Sequence, residues 1–353
     1  MSSLSVPALL AVFLPCAGLT WLAGVQLSRA TDALDTRFKL GSALGGLVLL
    51  GVATSLPEIA IVFAGALNGH TDIVIGNLIG GIAIQTALLA LLDARAPGDS
   101  SLTFLAGTLT LVIEAATVIA VGVIALGGTQ LPTHVNLLGI SPASVAMAAA
   151  WVLGLVAVNR MRTQQPWKAT APGAKPGRRR RSERHPSQPH PFAGRSTGLV
   201  LAIFAAGSAV TLAAGWALEE SGNALADHVG LTSGIFGATV LALVTALPGI
   251  STGFAAIKLG DYALSMSEMF GGNAFAPALF VVADLLAGTP ALPHARPSDV
   301  WMAALGVVMT SIFVVSMIVR PRRTRLRIGA DSRLAVVVYV LGVLGLLAVP
   351  GGN

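Results

Sequence analysis

Three carboxylates of this chain stand where there is almost no water to solvate them. Only 16 of its 353 residues are Asp or Glu, and Glu58, Glu114 and Glu268 fall inside long apolar stretches. An ionised side chain at the centre of a bilayer costs about 2.5 kcal/mol or more, so an acid kept there needs a partner or a task. Glu58 ends the run Thr54-Ser55-Leu56-Pro57-Glu58. Proline has no N–H, and its ring displaces the carbonyl one turn earlier, near Ala53 and Thr54. A released carbonyl beside two hydroxyls and a carboxylate is a set of hard oxygen donors of the kind that suits Na⁺ or Ca²⁺.

The same arrangement recurs 191 positions later: Leu40 to Asp93 overlays Leu231 to Asp284 without a gap, with 17 of 54 pairs identical. Thr54/Thr245, Pro57/Pro248, Gly80/Gly271, Gly81/Gly272 and Asp93/Asp284 are among them. Pro248 repeats the freed carbonyl, near Val244, and the Gly-Gly pairs carry no side chain, so their spans can approach the interrupted helices closely. Duplicated segments broken by Pro and Gly at matching places mark a secondary transporter whose site lies where the two halves meet at the bilayer midplane.

The elements that must carry these residues are membrane helices. Hydrophobic residues make up 54% of the chain and charged ones 11%, where a soluble domain has about 25% charged. Windows of about 20 apolar residues give ten spans, over 4–28, 40–67, 72–93, 101–126, 137–159, 196–217, 231–257, 262–287, 299–319 and 334–350. No alternating barrel pattern is present, and backbone groups in lipid must be satisfied within each segment, so the spans are helical. Every Lys and Arg except Arg296 follows an odd-numbered span. The positive-inside rule then puts those loops in the cytoplasm and both termini outside, as expected for a multi-pass plasma-membrane protein. The repeated segments begin at spans 2 and 7, five apart, and so enter from opposite sides. The expected fold is an all-α integral membrane protein of ten helices in two inverted five-helix repeats, over 1–160 and 196–353.

Between the repeats, 161–195 is rich in Pro, Gly, Ser and Arg, includes the run Arg178 to Arg181 and lacks apolar periodicity. It reads as a disordered basic cytoplasmic linker that anchors the topology and is drawn to anionic lipid. The net charge of +6 comes largely from this linker and the Arg320 to Arg333 loop, so it concerns the lipid bilayer and not nucleic acid; no aromatics alternate with these arginines as in a single-strand binder. Cys16 is the only cysteine, and none of the six histidines falls within an expected span; a disulfide framework, a thiolate site and an intramembrane His relay are thereby excluded. The apolar N-terminus has no basic leader region and reads as a span rather than a signal peptide. No HExxH, paired Asp or Ser/Lys arrangement points to an intramembrane enzyme, no cofactor is called for, and nothing sets an oligomeric state.

At its motif residues the chain resembles the calcium/cation antiporter superfamily, to which the sodium/calcium exchangers belong. The alpha-repeat of that family reads roughly G-T-S-L-P-E, followed after some twenty residues by G-N-x-x-G-S and then an Asn or Asp; here Ala53 to Glu58 reads A-T-S-L-P-E and Gly76 to Gln85 reads G-N-L-I-G-G-I-A-I-Q. The resemblance implies that Thr54, Ser55 and Glu58 line a cation site from span 2, with Gln85 in place of the family's Asn or Asp, and that Thr245 contributes from span 7. The second half departs from the pattern: Gly249 stands where the family has a second Glu, Ala276 replaces the acid or amide of span 8, and Gly81 and Gly272 replace serines. Glu268, aligned with Asn77, is positioned to return one negative charge from a shifted place; its alternative is a structural bond to the next span.

The expected activity is antiport of Ca²⁺ or Na⁺, against H⁺, by alternating access, with inorganic cations and protons as the partners. The alternative is a degenerate member that binds ions or partners without transporting. Glu114 has no counterpart in the other half, and its readings are packing against polar groups, facing a water-filled crevice, or carrying a proton. Asn77 and Asn273 are expected to join helices by hydrogen bonds, and Asp93 and Asp284, at span ends, to be solvated. Gly249→Glu is expected to raise divalent-cation affinity by restoring the missing acid.

Overall fold

The computed structural model describes residues 1, 4–38, 51–98, 100–164, 192, 194–321 and 328–349. Most of the linker, the first part of the span expected over 40–67 and part of the Arg320 to Arg333 loop lie outside the described residues. Among the described residues ten helices of 13 residues or more follow in order: α1 Val6–Phe38, α2 Leu56–Asn68, α3 Thr71–Asp93, α4 Leu109–Gly128, α5 Pro142–Gln164, α6 Thr197–Val229, α7 Ser233–Lys258, α8 Tyr262–Ala287, α9 Pro297–Val319 and α10 Ala330–Gly345. Eight of them are long and apolar enough to cross a membrane, and α2 is a shorter apolar helix. Among the described residues no strand forms beyond a lone bridge between Leu137 and Ile140. The chain is an all-helical, multi-span protein of two inverted repeats.

Local chemistry sets the helix ends. Thr108, Ser196, Thr232 and Asp261 each accept a hydrogen bond from a backbone N–H of the first turn, at 3.0–3.3 Å, satisfying a donor that the helix cannot. α2, α6 and α8 stop at Gly69, Gly230 and Gly288, all with positive φ, the left-handed end that glycine adopts without strain.

Two helices run well past their expected ends. α1 continues ten residues beyond 28 and α6 twelve beyond 217, each reaching 33 residues, about 50 Å against a hydrocarbon core of about 30 Å. The apolar windows stop where Thr31, Asp32 and Asp35, or Glu219, Glu220 and Asp227, begin; the helices do not, because α1 and α6 pack along one another past both expected ends, Ala33 and Leu34 of α1 clustering with Val200 and Gly222 of α6 facing Phe13.

The repeat-related Asp93 and Asp284 are not solvated, as expected from their place at span ends, but buried at 1% and 0% exposure. Asp93 accepts from the backbone N–H of Leu102 at 2.5 Å and of Gly329 at 2.6 Å. Asp284 accepts from Ala291 N–H at 2.7 Å, Ser141 N–H at 2.9 Å and the Ser144 hydroxyl at 2.6 Å. Each therefore ties the end of its own helix to the next segment of its repeat and to the entry of a helix in the other repeat, Asp93 to α10 and Asp284 to α5. Asp284→Ala strands three buried donors and is expected to cost about 3 kcal/mol, read as a lowered thermal midpoint in detergent; an unchanged midpoint would remove this role.

Beside a small cluster of Ala30, Ala33, Leu34, Phe192 and Val200, the buried apolar residues form two large clusters, one containing Ile73, Ile79 and Val244 and the other Ile82, Ala246 and Phe270. Thr245 sits at the seam between them, and it is there that polar side chains collect.

Candidate functional site

Span 2 breaks at Ser55, and α2 starts at Leu56 with Pro57 in its first turn. The proline that would interrupt a helix interior instead opens one, where its missing N–H has no partner to lose. Glu58 follows in that first turn, buried at 6% exposure. Its repeat mate differs: Pro248 lies inside a continuous helical stretch from Ala242 to Lys258, so span 7 is not broken there as expected. The irregularity of α7 comes earlier, as a π turn over Gly237–Leu241, and α3 carries another over Gly76–Gly80. The two π turns pack on each other. A Cβ on Gly237 would stand 2.5 Å from the Ile73 carbonyl, and one on Gly76 would collide with the Gly234 carbonyl. These paired turns are invisible to hydropathy; the glycine opening each was the available signal.

The two halves meet through crossed pairs. Thr245, in the second repeat, hydrogen-bonds the Glu58 carboxyl of the first. Thr54, in the first, hydrogen-bonds the Glu268 carboxyl of the second. Each hydroxyl also has a carbonyl of its own helix at 3.2 Å, Gly51 O for Thr54 and Ala242 O for Thr245, and its single proton goes either to that carbonyl or to the carboxyl across the seam. Glu58 and Glu268 are close enough to repel one another, and Asp32 of α1 repels Glu268 in turn. One Glu58 oxygen, Oε2, is buried with no hydrogen-bond partner.

Glu268 lies beside Gly249 of α7, the position at which the resemblance expects an acid. A Cβ built on Gly249 would stand 3.6 Å from Glu268 Cγ and 3.9 Å from its Oε1, so the carboxylate reaches from α8 to where a side chain at 249 would begin. Gln85 does the same for the missing serines. Its Nε2 lies 4.0 Å from where a Cβ on Gly81 would be, and its Oε1 lies 3.8 Å from the corresponding point on Gly272, so the buried amide sits between the two glycines. Ser55 is buried at the helix break. All six residues singled out by sequence thus fall near the seam of the two repeats. The Gly pairs divide: Gly80 and Gly81 face Ala238 and Ala242 of α7 closely, whereas Gly271 has nothing within 4 Å of a built Cβ and borders open space.

Two other polar residues behave unequally. The Asn273 amide donates to Thr86 Oγ1 at 3.2 Å, joining α8 to α3 as expected. Neither amide atom of Asn77 meets a partner, so this residue does not join helices here. The long helices press on the prolines at repeat-related positions: a Cβ on Gly24 of α1 would stand 2.6 Å from Pro248, and one on Gly215 of α6 would stand 3.2 Å from the Pro57 carbonyl.

Among the described residues no group of three or more His, Cys, Asp or Glu side chains converges in a way that could hold a metal ion. The donor set is two carboxylates with hydroxyl, amide and backbone oxygens around them, which fits a hard cation that is bound and released rather than held permanently.

Comparison with curated protein sequences finds no match. Solved structures match over nearly the whole chain. An H⁺/Ca²⁺ exchanger, CAX, is 12% identical with a TM-score of 0.68, covering 96% of this chain and 82% of its own. Native YfkE is 14% identical with a TM-score of 0.65, covering 94% and 91%. The sodium-calcium exchanger NCX_Mj, soaked with Na⁺ and Sr²⁺, is 16% identical with a TM-score of 0.59, covering 96% and 99%. At such identities these likenesses establish the fold alone. The family described as sodium/calcium exchanger protein matches residues 8–158 and 199–348, one stretch in each repeat. A fold shared with cation exchangers and a family match through both halves lead to one conclusion: this chain belongs to the sodium/calcium exchanger protein family.

Proposed function

We propose that this protein is a secondary active antiporter that moves Ca²⁺ or Na⁺ against protons by alternating access. The observation that carries the reading is the crossed pairing of Glu58 with Thr245 and Glu268 with Thr54. A cation held between the two carboxylates is held by both repeats at once, so its loading and release are coupled to how the repeats sit against each other. Two adjacent carboxylates repel when the site is empty. A cation or protons relieve that repulsion, and one set of oxygens then serves two ions in alternation. With only two acids, proton exchange is favoured over the loading of several Na⁺ ions.

The basic loops place one face in the cytoplasm and the termini outside. On this reading Thr54, Ser55, Glu58, Gln85, Thr245 and Glu268 line the cation site. The repeats extend over 1–160 and 196–353, with 161–195 as the linker between them.

Calorimetric binding of Ca²⁺, Na⁺, K⁺ and Mg²⁺ to the detergent-solubilised protein at two pH values tests this. Protons and cation compete for the same carboxylates, so apparent affinity for Ca²⁺ or Na⁺ should fall as pH falls. An affinity independent of pH would rule out protons as the counter-ion, and no binding of any cation would leave only the degenerate reading.

A further inference from the structure

Glu114, the third acid that stands out in the sequence, shares a hollow with Glu268. A cavity of about 70 Å³ lies between α4, α5, α8 and the residues just before α2, on the flank of Glu268 that faces the basic loops. Glu114 and Glu268 are the ionisable residues that line it, and Thr117 and Ser267 add hydroxyl-bearing side chains. Trp151 and Phe275, with ring centroids 5.1 Å apart, also line it. Gly51 and Gly271 on its wall have nothing within 4 Å of a built Cβ. Gly272, also on the wall, faces Gln85, so the hollow abuts the candidate site.

The hollow has room for a few waters beside an ion, at about 10–15 Å³ of such space for each. A hard cation that enters it keeps part of its shell and takes its remaining oxygens from the lining. A carboxylate is the strongest replacement and raises the local cation concentration within a low-dielectric cleft. We infer that Glu114 is a second, transient carboxylate station for the transported cation, between the basic-loop side of the membrane and Glu268. The inference rests on the exchange reading above, in which Glu268 belongs to the cation site.

The test is radiolabelled Ca²⁺ transport by the full chain in vesicles of known orientation, with Ca²⁺ offered from each side in turn. Glu114→Gln should raise the half-saturating Ca²⁺ concentration on the basic-loop side about tenfold and change it less than twofold on the other side. Glu114→Asp should recover most of the loss. Gly271→Leu, which adds a side chain into open space, should slow entry from the basic-loop side alone. A shift equal on both sides, or no shift, would overturn the assignment. Should Glu114→Gln fail to reach the membrane, an unaffected Gly271→Leu would overturn it as well. If the unaltered chain moves no cation from either side, the exchange reading fails, and the role of Glu114 with it; a side-blind variant of a working exchanger refutes only Glu114.

Discussion

Glu58→Gln should leave a folded protein in the membrane that no longer exchanges cations. The amide keeps the shape of the side chain and can still bond to Thr245, so the seam between the repeats survives. What goes is the negative charge, half of the site's formal charge of two, together with the oxygen that has no partner in the protein. A loss of about 2.7 kcal/mol in cation binding is about a hundredfold in affinity, enough to remove transport at ordinary concentrations. Stability should not fall, because a buried unpaired carboxylate costs desolvation energy that the amide avoids. The measurement is ion flux in proteoliposomes alongside a thermal midpoint in detergent. Flux at the unaltered rate refutes the site, and loss of flux with a collapsed midpoint means that Glu58 holds the fold rather than the ion.

The second large effect concerns the relocated acid. Glu268→Gln should be as damaging as Glu58→Gln, since the two carboxylates act on one ion. Sequence alone expects Gly249→Glu to raise divalent affinity, but the structure changes the sign. The position is already crowded, with Glu268 Cγ 3.6 Å and Met269 Cε 3.0 Å from a built Cβ, so a second carboxylate there is repelled and displaced. Gly249→Glu should therefore weaken binding by itself and restore it when combined with Glu268→Gln. Such a cycle is strongly non-additive, as required of two residues that occupy one place. Additive losses in the double variant would show that Glu268 does not stand in for an acid at 249.

The fold was largely legible because lipid imposes one rule on every span, that apolar length predicts a helix; the misplaced ends of α1 and α6 arise where the two helices hold each other through turns too polar for an apolar window. Within the site, Thr54 and Glu58 were visible from a local motif and Glu268 from a charge in an apolar span. That Glu268 reaches the position of Gly249 on α7, and that Gln85 reaches Gly272 on α8 as well as Gly81 one turn before it, depends on how α3, α7 and α8 cross, which no single segment encodes. The burial of Asp93 and Asp284 was hidden for a related reason. Their partners include the backbone N–H groups of Gly329 and Ser141, brought from the other repeat, whereas their neighbours in sequence resemble a solvated loop.

The most direct test of the central claim is simultaneous measurement of Ca²⁺ and internal pH in sealed vesicles containing the purified chain. A Ca²⁺ gradient should drive protons in the opposite direction, in fixed proportion, and an imposed pH gradient should drive Ca²⁺ uphill. Calcium that crosses without moving protons, or protons that leak without calcium, would contradict the account.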